Sequence, residues 1–379
     1  MKAAAAQLDV RSTGALHLNA TMNRRRALAI SVVIASCGGG ERVPLAVAAL
    51  EGYAPLVTLE VADGTIADAY RLPSGQYLVR GVPNVLGIYD SAGAHTHRIG
   101  RVGSGPGEFR QLAWAAPGGA DSIWTYDVAL KRLSLFSGDG TFKESWRPEG
   151  LSLPSVQARL SDGTLILVDP MMPMPARTGG LRTHSIALYA WRLPDTHPQR
   201  LVERPWWTLY QANEGVALIG QPFGPTGMVA ASDSTFWYGF GDSAAVEELN
   251  GSGAVVGRIQ LSVEAQRLSS ADEAWARAQG ERLSDLSGVR ELFASVPLPP
   301  TQPMISRLLA HDARVWTRLA RVSDTVAGLW LSLNAKNDAV DTLRLPPGVE
   351  LLSISGAIIV TKWSAPGGEE FVRSFRRIP

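Results

Sequence analysis

Short runs in which apolar and polar positions alternate, separated by Gly, Asp, Asn and Ser, recur along most of the chain. A period of two describes strands with one buried face, whereas a helix repeats its apolar face every 3.6 residues. The clearest unit is 119–146, GADSIWTYDVALKRLSLFSGDGTFKESW. It predicts a strand Ser122–Tyr126, a short connection, a strand Leu133–Phe136, the turn Ser137-Gly138-Asp139-Gly140 and a strand Thr141–Trp146. Asp-Gly between two apolar runs is a hairpin signal, because the tight turn needs residues that tolerate positive φ.

The opening of that unit, a turn followed by an apolar strand, returns at 74–79, 162–167, 233–238, 312–317 and 355–360. Each copy is followed by a second strand: Gly87–Asp90, Ser185–Ala190, Ala244–Leu249, Gly328–Leu333 and Glu370–Phe375. Six copies at a spacing of about 40–50 residues fall in the range of propeller blades. Radial repetition of small antiparallel sheets is one solution to exposed strand edges. The predicted fold is therefore all-β: a six-bladed β-propeller of four-stranded antiparallel blades spanning 55–379. Closure is assigned to the alternating segment Leu56–Val61, which is expected to complete the last blade.

Two segments break the period. A long loop is expected at about 170–180, with Met171, Met172 and Met174 as a soft apolar lip or a mobile loop. A short helical insertion is expected at about 264–295, between blades 4 and 5. There Ser269 and Ser270 stand three residues before Asp272 and Glu273, a capping-box pattern. Trp275, Leu283, Leu286, Val289, Leu292 and Phe293 supply its apolar stripe, which Gly280 and Gly288 are expected to break in two.

The N-terminal region is of another kind. After Met22 come Arg24, Arg25 and Arg26, a short apolar run from Ala27 to Ile34, and small residues before Cys37. This order describes a secretory signal, and the apolar run is shorter than the roughly 20 residues that span a bilayer. Ile34-Ala35-Ser36-Cys37 resembles the bacterial lipobox, which makes Cys37 the expected lipid attachment site. Residues 1–37 are thus read as signal and lipobox with translation starting at Met22, and 38–54 as a tether. Cys37 is the one cysteine in the chain, so no intramolecular disulfide supports the fold.

Composition adds exclusions. The formal net charge is +1, and removing residues 1–36 takes away five basic residues and one acidic one, leaving a slightly acidic remainder. A nucleic-acid partner would call for a strongly basic face, so none is expected. The expected partners are a peptide, glycan or protein ligand and, through the lipid, a membrane of the cell envelope; the chain is expected to be monomeric.

The loop Ile99–Phe109 (IGRVGSGPGEF) and the unit after it resemble NHL-type repeats and the related six-bladed propellers of exported bacterial lipoproteins. In such repeats a Gly-rich stretch links two blades, the second strand ends in Asp, and an Arg opens the third strand five residues later. Asp127 and Arg132 have that spacing here and are read as an ion pair within one blade. The motif covers 99–146; over the other blades the likeness is one of pattern.

Candidate chemistry is sparse. Gly100, Gly103, Gly105 and Gly107 precede a strand and contain Pro106, so they are read as an inter-blade turn and not as a phosphate loop. His95 and His97 could share a metal, but no carboxylate or cysteine completes a ligand set in sequence. His184, His197 and His311 stand alone. No catalytic residue, cofactor or metal is therefore assigned. Trp206 and Trp207, with Phe223, are the candidate ligand face, or else plugs between blades 3 and 4. Two functions follow. One is a tethered binding or scaffolding module. The alternative, which rests on the resemblance, is a lactonase- or lyase-like hydrolase with a metal in the axial channel. That alternative needs Glu, Asn and Asp converging from inner strands, whereas LAWAA and RLLAHD read as largely apolar.

Overall fold

Hairpin turns set the framework of the molecule. At Ser137–Thr141 the Ser137 hydroxyl and the Thr141 amide both donate to the Asp139 carboxylate, at 2.6 and 3.0 Å. These bonds hold its pKa at about 2. Gly140 takes a left-handed φ of 82°, so the side chain and the glycine together make the chain reverse here. Asp162 accepts from the Thr164 amide in the same way ahead of another hairpin.

The computed structural model describes residues 8–10, 16–18, 50–61, 65–119, 121–170, 179–211, 218–261, 263–282, 289–319, 328–334, 339–365 and 368–378. They are nearly all β. Sheet 1 contains Thr65–Arg71, Tyr77–Val82, Val85–Tyr89 and His95–Arg98 in that order, and sheet 2 contains Leu112–Pro117, Ser122–Asp127, Arg132–Ser137 and Phe142–Trp146. Sheet 3 has five strands, Ser155–Arg159, Leu165–Val168, Gly180–Trp191, Gln199–Gln211 and Leu218–Gly220. Sheet 4 contains Gly227–Ser232, Thr235–Phe240, Ala245–Asn250 and Val255–Gln260; sheet 5 contains Ile305–His311, Arg314–Leu319, Gly328–Asn334 and Ala339–Leu345. Sheet 6 joins both ends of the domain: Val349–Ser355, Ile358–Ser364 and Glu370–Arg377 are completed by Tyr53–Glu60. Neighbouring strands in each are antiparallel, and Phe371 faces Glu60 while Arg377 faces Tyr53. The alternating segment near residue 56 thus closes the last sheet, as its pattern predicts.

The first strand of each sheet lies against the first strand of the next, and that of sheet 6 returns to that of sheet 1. Buried apolar side chains follow the same cycle. One cluster joins Tyr126 and Leu133 to Trp191 across sheets 2 and 3, and another joins Trp237 to Ile305 across sheets 4 and 5. Leu59, Tyr77 and Val360 join sheet 6 to sheet 1. The core is therefore spread over the seams between sheets, and each sheet depends on both neighbours.

Between sheets 4 and 5 lie α1 (Ser270–Arg282) and α2 (Val289–Ser295). The start of α1 is capped reciprocally: Ser269 donates its amide and hydroxyl to Asp272, and the Asp272 amide donates to the Ser269 hydroxyl. Leu283, Leu286 and Gly288 lie outside the described residues, as do the methionines at 171–174 and the whole of 19–49 with Cys37. Among the described residues, no helix is long and apolar enough to cross a membrane.

Two expectations need correction. Sheet 3 exceeds the expected four strands: it has five, and Trp206 and Trp207 lie inside its 13-residue fourth strand. Pro205 masked it by suggesting a break, but Pro205 pairs with Ser185 directly beside a register shift, where a missing N–H is tolerated. Asp127 and Arg132 do sit opposite each other, yet their hydrogen bonds run elsewhere. Arg132 donates to the carbonyls of Ser104, Gly105 and Glu108 at 2.6–3.0 Å, clamping the Gly-rich loop. Asp127 accepts the amides of Arg110, Gln111 and Leu130 at 2.6–2.8 Å. Its side chain is buried, so Asp127→Ala orphans three amides and is expected to cost about 3 kcal/mol or more. A thermal unfolding midpoint within a degree of the parent would contradict this.

Candidate binding site

Three places gather polar side chains. Around the inner strands, Arg80 pairs with Asp68, and Arg307 with Glu350. Lys362 then bridges Glu350 and Glu370 at 3.2 and 3.5 Å, and Glu370 accepts the Ile66 amide at 2.6 Å. Burial opposes ionisation of Glu350, but the charges of Arg307, Lys362 and Arg318 outweigh it and hold its pKa below the usual range. The inner strands are thus more charged than LAWAA and RLLAHD suggest. Arg307 is the first letter of RLLAHD, and its partner lies 43 residues away. Each of these carboxylates is engaged by a cation or an amide. Among the described residues, no three His, Cys, Asp or Glu side chains gather as a metal site. His95 packs edge-on against Tyr89 at 5.1 Å.

A cleft of about 170 Å³ opens between sheets 5 and 6, lined by His311, Asp312, Asp341 and Arg377 among others. Its charged groups lie close to one another. Arg377 pairs with Asp341 at 2.6 Å, His311 Nε2 lies 3.1 Å from Asp312, and the Gly356 amide donates to that same nitrogen at 2.6 Å.

The third place differs. A cleft of about 280 Å³ lies where sheet 3, sheet 4 and the chain after α2 meet. Its first wall arises because the strand Gln199–Gln211 is long. Beyond its seam with sheet 4 it carries Thr208, which bonds Thr183 across the hairpin at 3.2 Å. The turn after Leu218–Gly220 supplies Phe223, held at a left-handed φ of 56°. That turn is pinned by Gln221, whose amide donates to Thr208 O at 3.0 Å and whose side chain donates to Pro297 O at 2.8 Å. Phe223 leans on Trp275 of α1, ring centres 5.3 Å apart. The second wall is Thr301–Met304, fixed by Gln302 N to Gln266 O at 2.7 Å and Met304 N to Gly241 O at 2.6 Å. Asp242 stands at the rim.

Two groups in this cleft stand out. Gln302 is only 6 % exposed, yet among the described residues its side-chain oxygen accepts no hydrogen bond. Buried acceptors in native proteins are nearly always satisfied, so this oxygen, closed to solvent beside the cleft, is an acceptor that the fold itself leaves unmet. Asp242 is exposed on one side, while the protein crowding its other side raises its pKa by desolvation, offset in part by its own amide. Among the described residues, no basic side chain lines the cleft.

All three aromatic residues of the expected ligand face are buried, in different roles. Trp206 and Trp207 pack with Phe236, Tyr238 and Phe240 in the seam between sheets 3 and 4. Gly227 lies so close that a Cβ there would come within 2.4 Å of the Trp206 ring. Trp206→Ala is expected to destabilise by about 3–5 kcal/mol through cavity formation, read from denaturant unfolding. Phe223 alone reaches the cleft. Its partners there, Asp242 and Gln302, escaped the sequence reading; residues from well-separated segments meet here with no common motif.

No protein-family model matches the chain, and no curated protein matches its sequence. Solved structures do resemble its fold. A member of the DUF4221 family from Bacteroides vulgatus is 9 % identical, with 86 % of this chain and 97 % of that one covered at a TM-score of 0.53. That likeness shows the fold alone. A Bacteroides fragilis protein described as exported is 15 % identical, covering 86 % and 95 % at a TM-score of 0.45. A catalytically inactive virginiamycin B lyase from Staphylococcus aureus with quinupristin is 11 % identical, covering 84 % and 97 % at 0.42.

Proposed function

We propose that the chain is an exported, lipid-anchored six-bladed β-propeller of NHL-like design that holds a peptide, glycan or protein partner at the cell envelope. The cleft beside Phe223 carries the binding role: its buried Gln302 oxygen has no partner among the described residues, which is what a site awaiting a ligand presents. The closed cycle of first strands and the seam clusters support reading the sheets as blades and the helices as an insertion between the fourth and fifth. The segment from Arg24 to Cys37 supports export and anchoring. A metal-dependent hydrolase has less support, since the inner carboxylates Asp68 and Glu350 are already paired with arginines.

Mass spectrometry of protein extracted from membranes tests the anchor. The expected N-terminus is an acylated Cys37, and Cys37→Ser is expected to move the protein to the soluble fraction. If Cys37→Ser still sediments with membranes, the anchor is wrong.

A further inference from the structure

Resting on the binding reading above, we propose that the cleft between Phe223 and Gln302 accepts a basic side chain, a cationic head on an aliphatic stem, presented by a peptide or protein partner.

The lining argues for this in three steps. First, its one buried unpaired polar atom among the described residues is an acceptor. Gln302 Oε1 is buried without a donor among the described residues, and a carboxylate offers nothing but acceptors. A ligand must therefore bring N–H or O–H groups. Second, Asp242 is the one charged residue among the described residues that line the cleft. Desolvation raises its pKa, so a cation placed there would relieve a cost that the empty cleft carries. Third, alongside three threonines and Gln221 the lining includes an apolar group, Phe223, Pro225, Pro299, Pro303 and Met304. They suit a hydrocarbon stem, which Lys and Arg bury while their heads stay with polar partners. The Phe223 ring adds a face that attracts cations. Anionic ligands would meet Asp242 without compensation.

The test compares two tripeptides, acetyl-Ala-Lys-Ala-amide and its isosteric analogue with norleucine in place of lysine, bound to the purified full-length protein and followed by saturation-transfer NMR. The lysine peptide is expected to bind at least tenfold more tightly than the norleucine peptide. Asp242→Asn is expected to remove that preference, and Gln302→Leu to weaken the lysine peptide severalfold. Folding is separable from binding in the first variant. Charging Asp242 is disfavoured in the folded state, so that cost is absent at acid pH and grows as pH rises past the ordinary carboxylate range. Asp242→Asn removes it and is expected to leave the unfolding midpoint at neutral pH unchanged or raised. Equal binding of the two peptides, or a lysine preference that survives Asp242→Asn, overturns the cation and leaves the cleft as a pocket for apolar groups. If neither peptide binds, both the cation and the cleft are overturned.

Discussion

An internal deletion of Tyr53–Glu60 is expected to leave the chain without a cooperative unfolding transition. That strand supplies the outer edge of sheet 6 and is hydrogen-bonded along its length to Glu370–Arg377. It also carries Leu59, fully buried against Tyr77 and Val360 at the seam between sheet 6 and sheet 1. Losing it exposes the edge of Glu370–Arg377 and opens one seam of a core that has no centre to fall back on. With no disulfide to hold the ends together, nothing else replaces the constraint. A milder version, Leu59→Asp, places a charge in the same seam and is expected to cost at least about 4 kcal/mol, the range of severe core substitutions. Circular dichroism and thermal unfolding check both, and a deletion variant that melts cooperatively near the parent midpoint would refute the closure.

Glu350→Ala is expected to cost about 3–5 kcal/mol, the penalty for stranding charges that a buried partner had compensated. Arg307 and Lys362 both converge on this carboxylate, and Arg307 is itself only 7 % exposed. The same group fixes a pH dependence. Because its pKa is lowered in the folded protein, its contribution is complete above the ordinary glutamate pKa. It is lost as pH falls through the lowered value. The parent should therefore lose stability on acidification, and Glu350→Ala should lose less over that interval. Denaturant unfolding at neutral and acid pH reads both effects. Parallel curves for parent and variant would remove Glu350 from the acid response.

How much of this was legible in the chain differs by feature. Hairpins built on Asp-Gly and Ser-Gly could be placed because a turn's chemistry is local: Asp139, Gly140 and Thr141 need only each other. The closing strand was readable from its alternation even though its partner lies more than 300 residues on. The long strands of sheet 3 were not, since Pro205 and two register shifts interrupt the period that reveals a strand. Asp127 and Arg132 show the limit of spacing: five residues apart and facing each other, they serve separate sets of backbone groups. The cleft was least visible. Phe223 was singled out as an aromatic, but Asp242 and Gln302 became meaningful only when the fold left one crowded and the other unsatisfied.

The central claim, that this cleft receives a cationic group, is tested most directly by a crystal structure of the protein with acetyl-Ala-Lys-Ala-amide at saturating concentration. The expected result is the lysine ammonium within hydrogen-bond distance of both the Asp242 carboxylate and Gln302 Oε1, with its stem along Phe223 and Met304. An empty cleft, or the peptide bound elsewhere, would contradict it.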